Sequence, residues 1–278
     1  MARPVIVADM AAEKARGPGG RIAVSPAEGG GAGVDTVIQG VQIAAAFVRA
    51  HLREPLTLED LADVAGYSPF HLARAFTTTV GTPPIRYLAA LRFHAAKRLL
   101  LTEGLGVVDV CHEVGFSSPG TFTRRFRDQV GVAPGELRRV ADDVAETTAT
   151  PFRLAPPGAE DLVRVRVHVP AGAGRDPLVW VGLFGAPAPA GVPGAGVLRR
   201  GPGDLALPVV PGFPWLLATM VPATADPVTQ LADESPLVAV HPAPICAPTS
   251  VHLTFRPAHP WEMPTLTALP ALRKIGVF

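Results

Sequence analysis

The stretch "SPFHLARAF" (Ser68–Phe76) returns fifty residues later as "SPGTFTRRF" (Ser118–Phe126), and the surrounding residues repeat with it. "GYS" (Gly66–Ser68) is answered by "GFSS" (Gly115–Ser118), and "VGTPP" (Val80–Pro84) by "VGVAP" (Val130–Pro134). Each serine is placed to cap a helix, and each following proline takes the first helical position, where its missing N–H costs nothing. Upstream of the first copy, "TLED" (Thr57–Asp60) resembles a capping box that opens a short helix carrying Leu58, Leu61, Ala62 and Ala65. Gly66 stops it. Upstream of the second copy, Val107, Val108, Val110 and Cys111 make the matching short helix, and Gly115 turns the chain. Short helix, glycine turn, second helix is the helix-turn-helix pattern, and this chain builds it twice.

Helical periodicity assigns the faces. Leu72 and Phe76 share the inward face of the first repeat helix, so Phe70, Arg74, Thr77 and Thr78 point outward. In the second, Phe122 and Phe126 point inward and Gly120, Arg124, Arg127 and Asp128 outward. Both copies thus present an arginine at the same angular position. Between them, "PPIRYLAALRFHAAKRLLL" (Pro83–Leu101) reads as one helix, about 28 Å long at 1.5 Å per residue, with Leu88, Leu91, Ala95 and Leu99 as its buried stripe. Major-groove segments on one face of DNA recur about every 34 Å. A rigid connecting helix of that length suits two recognition helices in adjacent grooves. Ahead of the repeats, Val41, Ala45, Val48 and Leu52 mark a further amphipathic helix from Thr36 onward.

The bulk composition agrees with this division. A length of 278 residues allows two modest domains with tails. The net charge of +1 points to no partner, but residues 37–139 hold twelve basic against nine acidic residues, and 140–278 hold nine against eleven. The middle leans towards a polyanion. Of 31 prolines, 22 lie after residue 139, so a helical middle and a non-helical end are expected. Two cysteines far apart exclude a disulfide framework and fit a reducing cytoplasm. No apolar run long enough for a signal or a membrane span occurs, and a soluble cytoplasmic protein is expected. Residues 1–35, rich in Gly and Ala, read as a disordered tail.

"PLTLEDLADVAGYSPFHLARAFTTTVGTPPIRYLAALRFHAAKRLLL" followed by "VGFSSPGTFTRRFRDQVGVAPGELRR" strongly resembles the AraC/XylS family DNA-binding domain. The specific part is the closing pattern G-F-x(5)-F-x-R-x-F-x(4)-G-x-x-P, Gly115 to Pro134. The resemblance implies a seven-helix, all-α domain with tandem helix-turn-helix units reading adjacent major grooves upstream of promoters. It places base readers at Phe70, Ala73 and Arg74 in the first unit and at Gly120, Thr123 and Arg124 in the second. His71, Thr77, Thr121, Arg125 and Arg127 complete the DNA-binding candidates. Ala73 and Gly120 depart from the usual pattern, since neither side chain donates a hydrogen bond. Cys111 stands where a small alanine is usual and reads as a buried apolar residue. Relatives commonly place the sensor domain ahead of the DNA-binding domain; here a second region follows it.

That second region changes texture. "LVRVRVHVP" (Leu162–Pro170) alternates, with Val163, Val165, Val167 and Val169 on one face and Arg164, Arg166 and His168 on the other. Five more strand-like runs follow at 177–184, 204–210, 214–222, 236–241 and 249–255, which favours an all-β sandwich. Its 204–223 stretch loosely resembles a carboxypeptidase-regulatory-like sandwich with a Pro-Gly turn. The chain therefore divides into a tail (1–35), a DNA-binding domain (36–140), a linker (141–160) and a β-sandwich domain (161–278). No HExxH, CxxC or GxSxG occurs, so no catalytic residue, metal site or cofactor is assigned. The reading is a transcription regulator, with activator among its expected roles. Its partners are double-stranded DNA, RNA polymerase and a small-molecule effector, without a membrane. The alternative is an interaction protein whose β domain carries the main function while the helix-turn-helix units localise it.

Overall fold

The protein is described from a computed structural model covering residues 30–146, 150–156, 158 and 161–274. Residues 1–29 of the expected tail lie outside the described residues. Seven helices come first: α1 (Gly30–Ala50), α2 (Leu58–Ala65), α3 (Pro69–Val80), α4 (Pro84–Thr102), α5 (Val107–Glu113), α6 (Pro119–Val130) and α7 (Pro134–Glu146). Strands β1 (Phe152–Leu154), β2 (Leu162–His168), β3 (Leu178–Phe184), β4 (Ala195–Arg200), β5 (Gly203–Pro208) and β6 (Trp215–Val221) follow. A short helix α8 (Pro227–Ala232) precedes β7 (Leu237–Val240), β8 (Thr249–Thr254) and β9 (Arg256–Pro257). The layout is a helical region followed by a β-rich region of two sheets. One is antiparallel, in the order β1-β4-β3-β6-β7-β9; the other is β5-β2-β8, with β2 and β8 parallel.

Capping chemistry sets the helical boundaries. Thr57 and Asp60 form the reciprocal capping box at the start of α2, and their oxygens satisfy two of its otherwise unpaired N–H groups. The Ser68 and Ser118 hydroxyls accept from the backbone N–H of His71 and Thr121, each at 3.4 Å. Gly66 (φ 72°) and Gly115 (φ 85°) hold the left-handed conformation that turns each unit, a region costly for residues bearing a Cβ. Leu72 and Phe76, then Phe122 and Phe126, are fully buried as the repeat predicts. Two arginines tie the segments together. Arg92 donates to the carbonyls of Leu52 (2.6 Å) and Glu54 (2.5 Å) ahead of α2, and Arg138 donates to those of Leu100 (2.8 Å) and Leu105 ahead of α5.

Several expectations need correction. α1 begins at Gly30 and α7 runs to Glu146, so the helical region overruns both limits of 36–140. Ala141 and Val144, partly buried, continue the stripe of Leu137 and Val140 into the expected linker. The expected linker also holds β1, whose three residues are too few to show alternation. The β-rich region is not all-β, because Asp226 caps α8 through its carboxylate and Pro227 starts it. Asp226-Pro227 is itself a helix-start signal, lying between the expected strands at 214–222 and 236–241. In α4, Ala95 and Leu99 are only half-buried, whereas Tyr87, Ala90, Phe93, Ala96, Lys97 and Leu100 are buried. A single stripe could not describe this helix, because neighbours surround it.

Those neighbours include the β-rich region. One core spans both regions, with Phe93, Phe122 and Phe126 packed in the same cluster as Leu231, Leu266, Ala268 and Ala271. Lys97, fully buried, donates from Nζ to the carbonyls of Thr265 and Leu266, 3.0 Å each. His94 meets the Asp233 carbonyl at 3.0 Å, and burial followed by the nearby Lys97 charge lowers its pKa to about 3, so the ring is neutral. A separate core fills the space between the sheets. Val163, Val165 and Val167 of β2 and Val251 and Leu253 of β8 meet Val179, Val181 and Leu183 of β3 and Leu216 of β6.

Burial pushes the Lys97 ammonium down to about 7, while an unfolded lysine stays protonated to about 10.4. Between about pH 7 and 10 the unfolded chain binds the extra proton, so stability rises with pH across that window. Lys97→Met is expected to flatten this rise. Urea melts of both proteins at pH 7 and pH 9 measure it, and equal slopes would refute the assignment.

Candidate nucleic-acid interface

The caps of α3 and α6 aim the start of each helix away from the core, and side-chain exposure follows the wheel. The Phe70 ring, in the first turn of α3, is 72% exposed, the most exposed large apolar side chain among the described residues. His71, Arg74 and Thr77 are exposed beside it, with Ala73 half-buried between them. On α6, Gly120, Thr121, Arg124, Arg125 and Arg127 are exposed and Thr123 is half-buried.

Fine geometry separates the candidates. Arg74, Arg124 and Arg127 have no ion-pair partner among the described residues, in contrast to Arg53, Arg98, Arg166 and Arg256, which pair with carboxylates. Unpaired guanidinium groups on the two repeat helices leave their full positive charge for a polyanion. Arg125 turns aside, its guanidinium carbon 6.0 Å from the centre of the Phe93 ring. The Thr121 hydroxyl is engaged by the capping Ser118 at 3.2 Å, and the Thr77 hydroxyl donates back to the Ala73 carbonyl at 2.7 Å. A Cβ added at Gly120 would meet nothing within 4 Å, so no internal contact demands that glycine.

The far ends of the two helices are held by the β-rich region. Pro187 lies against Gly81, which caps α3, and a Cβ at Gly81 would come within 2.8 Å of it. The Gly191 N–H donates to the Gln129 carbonyl at 2.6 Å, and the Ala268 N–H to that of Val130 at 2.8 Å, both at the end of α6. The β3–β4 loop thus touches both helices while leaving their outward starts open. Sequence reasoning missed these contacts, since the loop is Gly-Pro-Ala-rich and carries no periodic signal.

Known proteins place this arrangement. A family profile described as "Helix-turn-helix domain" matches residues 61–140. The HTH-type transcriptional activator AarP of Providencia stuartii is 33% identical over 96 residues, which cover 34% of this chain and 70% of AarP. The chain belongs to the AraC family. The bifunctional transcriptional activator/DNA repair enzyme AdaA of Bacillus subtilis is 30% identical over 36% of this chain, and the transcriptional regulator Rob of Salmonella typhimurium 32% over 39%. This AraC family member spans only 48% of AdaA and 37% of Rob. Among solved structures, the DNA-binding domain of AdpA in complex with a target DNA is 30% identical. That match covers 38% of this chain and 95% of that one, with a TM-score of 0.36.

Phe70→Ala should leave folding within about 0.5 kcal/mol, because so exposed a ring has little burial to lose. It should nevertheless weaken duplex binding. Arg74→Ala should cost about 1–3 kcal/mol on the preferred site and relax selectivity there, as expected of a guanine-reading fork. Arg127→Ala should weaken all duplexes alike and lower the salt slope by about one, as expected of a phosphate contact. Titrations on preferred and scrambled duplexes at several salt concentrations decide between these roles, and the opposite pattern would reverse them.

Proposed function

We propose that this AraC family member is a sequence-specific DNA-binding transcription regulator, acting as an activator, that inserts α3 and α6 into adjacent major grooves. The observation that carries the reading is the pair of outward helix faces with unpaired Arg74, Arg124 and Arg127 and the exposed Phe70. A ring at the helix start suits a thymine methyl, and an arginine fork suits guanine O6 and N7. Arg127, on a helix whose start offers glycine, suits phosphate. AarP, by name a transcriptional activator, supports the direction of regulation.

The two sheets of the β-rich region enclose one valine-rich core and are read as a sandwich. Its role would be regulatory rather than catalytic, contacting a small-molecule effector or RNA polymerase. Among the described residues no group of three or more His, Cys, Asp or Glu is arranged to hold a metal ion, and no helix is long and apolar enough to cross a membrane. A reducing, cytoplasmic setting fits the buried, unbridged Cys111.

Selection of duplexes from a random pool by the full chain tests the reading. The enriched sequences should contain two short elements whose centres lie about 10–10.5 base pairs apart. Arg74→Ala should degrade only one of them. Recovery of no common sequence would sink the proposal.

A further inference from the structure

Each sheet has two outer strands, and three of these edges are blunted. β1 has only three residues, and its Leu154 packs against Leu269 and Leu272 of the C-terminal segment. β9 has two residues, of which Pro257 lacks an N–H. Along β5, the Asp204 carbonyl accepts from Arg199 Nη1 at 3.0 Å, and Pro208 offers no N–H. β8 is different. It runs for six residues, Thr249–Thr254, without proline or lysine, and β2 is its one ladder partner among the described residues.

Register fixes which main-chain groups of β8 are free. The Val209 N–H donates to the Asp161 carbonyl at 2.8 Å, so the odd-numbered residues of β2 bond to β5 and the even-numbered ones point to β8. In the parallel ladder those even-numbered residues then bond to Thr249, Val251 and Leu253. The N–H and C=O groups of Ser250, His252 and Thr254 are left pointing away from the sheet, on three exposed residues. An open edge of this kind is a template for another strand, and proteins usually guard against it. The bulkiest side chain along the edge is drawn inward. His252 Nδ1 and His168 Nε2 share a hydrogen bond of 3.0 Å with ring planes 13° apart, which turns the His252 ring towards β2 and off the edge.

We propose that β8 pairs with β8 of a second copy of this chain, antiparallel about a twofold axis at His252, joining the two smaller sheets into one. In this register Ser250 faces Thr254 of the second copy, His252 faces His252, and Thr254 faces Ser250. Each pair exchanges two main-chain hydrogen bonds. The strand suits itself. It carries no Asp, Glu, Lys or Arg, and serine and threonine opposite each other attract through their hydroxyls. On the inner face, Val251 comes to lie beside Leu253 of the second copy, which extends the valine-rich core across the axis. Charges one strand further in do not oppose the pairing. Arg166 is held by Asp204. The two Arg164 residues lie about 20 Å apart by strand spacing, beyond the screening length. The assembly closes at two copies, because the pairing uses the β8 edge of each.

Sedimentation velocity of the full chain without DNA, from about 1 to 200 μM, should show a monomer converting to a dimer, since so small an interface is transient. Amide exchange should slow with concentration at Ser250, His252 and Thr254, whereas Val251 and Leu253 are protected even when dilute. His252→Lys sets two ammonium groups against each other on the axis and should weaken dimerisation about tenfold or more. His168→Lys adds the same charge and loses the same ring contact, but one strand away from the edge, and should dimerise like the wild type. Ser250→Pro removes an outward N–H without touching the bonds to β2, and should weaken the dimer about tenfold with an unchanged far-ultraviolet spectrum. A chain that stays monomeric throughout that range overturns the proposal. So does a dimer that His252→Lys and Ser250→Pro leave intact, or one that His168→Lys weakens as much as His252→Lys. Species larger than a dimer overturn the twofold pairing.

Discussion

The Lys97 ammonium lies wholly inside the protein between two backbone carbonyls, those of Thr265 and Leu266, and its position follows from what α4 is asked to do. One helix must close the first helix-turn-helix unit through Tyr87 and Leu88, close the second through Phe93 and Leu100, and receive the C-terminal segment along its remaining face. Arg86 of the same helix lies exposed and Arg98 pairs with Glu234, but Lys97 lies on the face that receives the C-terminal segment, where backbone carbonyls are its partners. Burying the ammonium is costly unless it is well hydrogen-bonded, so the segment that supplies the carbonyls is held in one place. The β-rich region is therefore fixed to the helical one by a polar contact as well as by shared apolar packing.

The aromatic side chains around Phe93 show the same economy. Phe116 stacks on it with ring centres 5.1 Å apart, Phe126 meets it edge-on at 5.9 Å, and Arg125 lies over it. Leu231, Leu266 and Ala271 close the far side of that cluster. A change in how the β-rich region sits is thus felt by α6 through its core and by α3 through the Pro187–Gly81 contact. Fixing both helices at their ends, while their starts stay exposed, is what the proposed reading of two grooves by one rigid body requires.

Within the β-rich region the topology separates two roles. The Pro211-Gly212 turn leads the chain from β5 in the smaller sheet to β6 in the larger, so consecutive strands lie on opposite sides of one core. The smaller sheet turns Arg164, Arg166 and His168 to solvent, with Arg166 bonded to Asp204. The larger sheet packs its second apolar face, through Leu154 and Trp180, against Leu269 and Leu272 of the C-terminal segment. An apolar face on both sides explains why β3 is buried at every position and reads as a continuous apolar run rather than an alternating one.

The sequence by itself determined the local structure wherever the signal lies within one helix or strand. Caps at Ser68 and Ser118, turns at Gly66 and Gly115, and the alternation of Leu162–His168 all report contacts made a few residues apart. The outward-facing Phe70, Arg74, Arg124 and Arg127 were legible for the same reason, because helical periodicity fixes angular position. Arg125 shares that exposure, but what it touches depends on Phe93, and no spacing in the chain encodes that contact. Lys97 reads as one more surface charge on a helix, and Trp180 as one more apolar residue in a strand. Only the tertiary structure buried the first beneath residues 265–266 and left the N–H of the second buried without a partner. Both depend on segments far apart in the chain, and such contacts are set by how whole layers pack, not by the order of neighbouring residues.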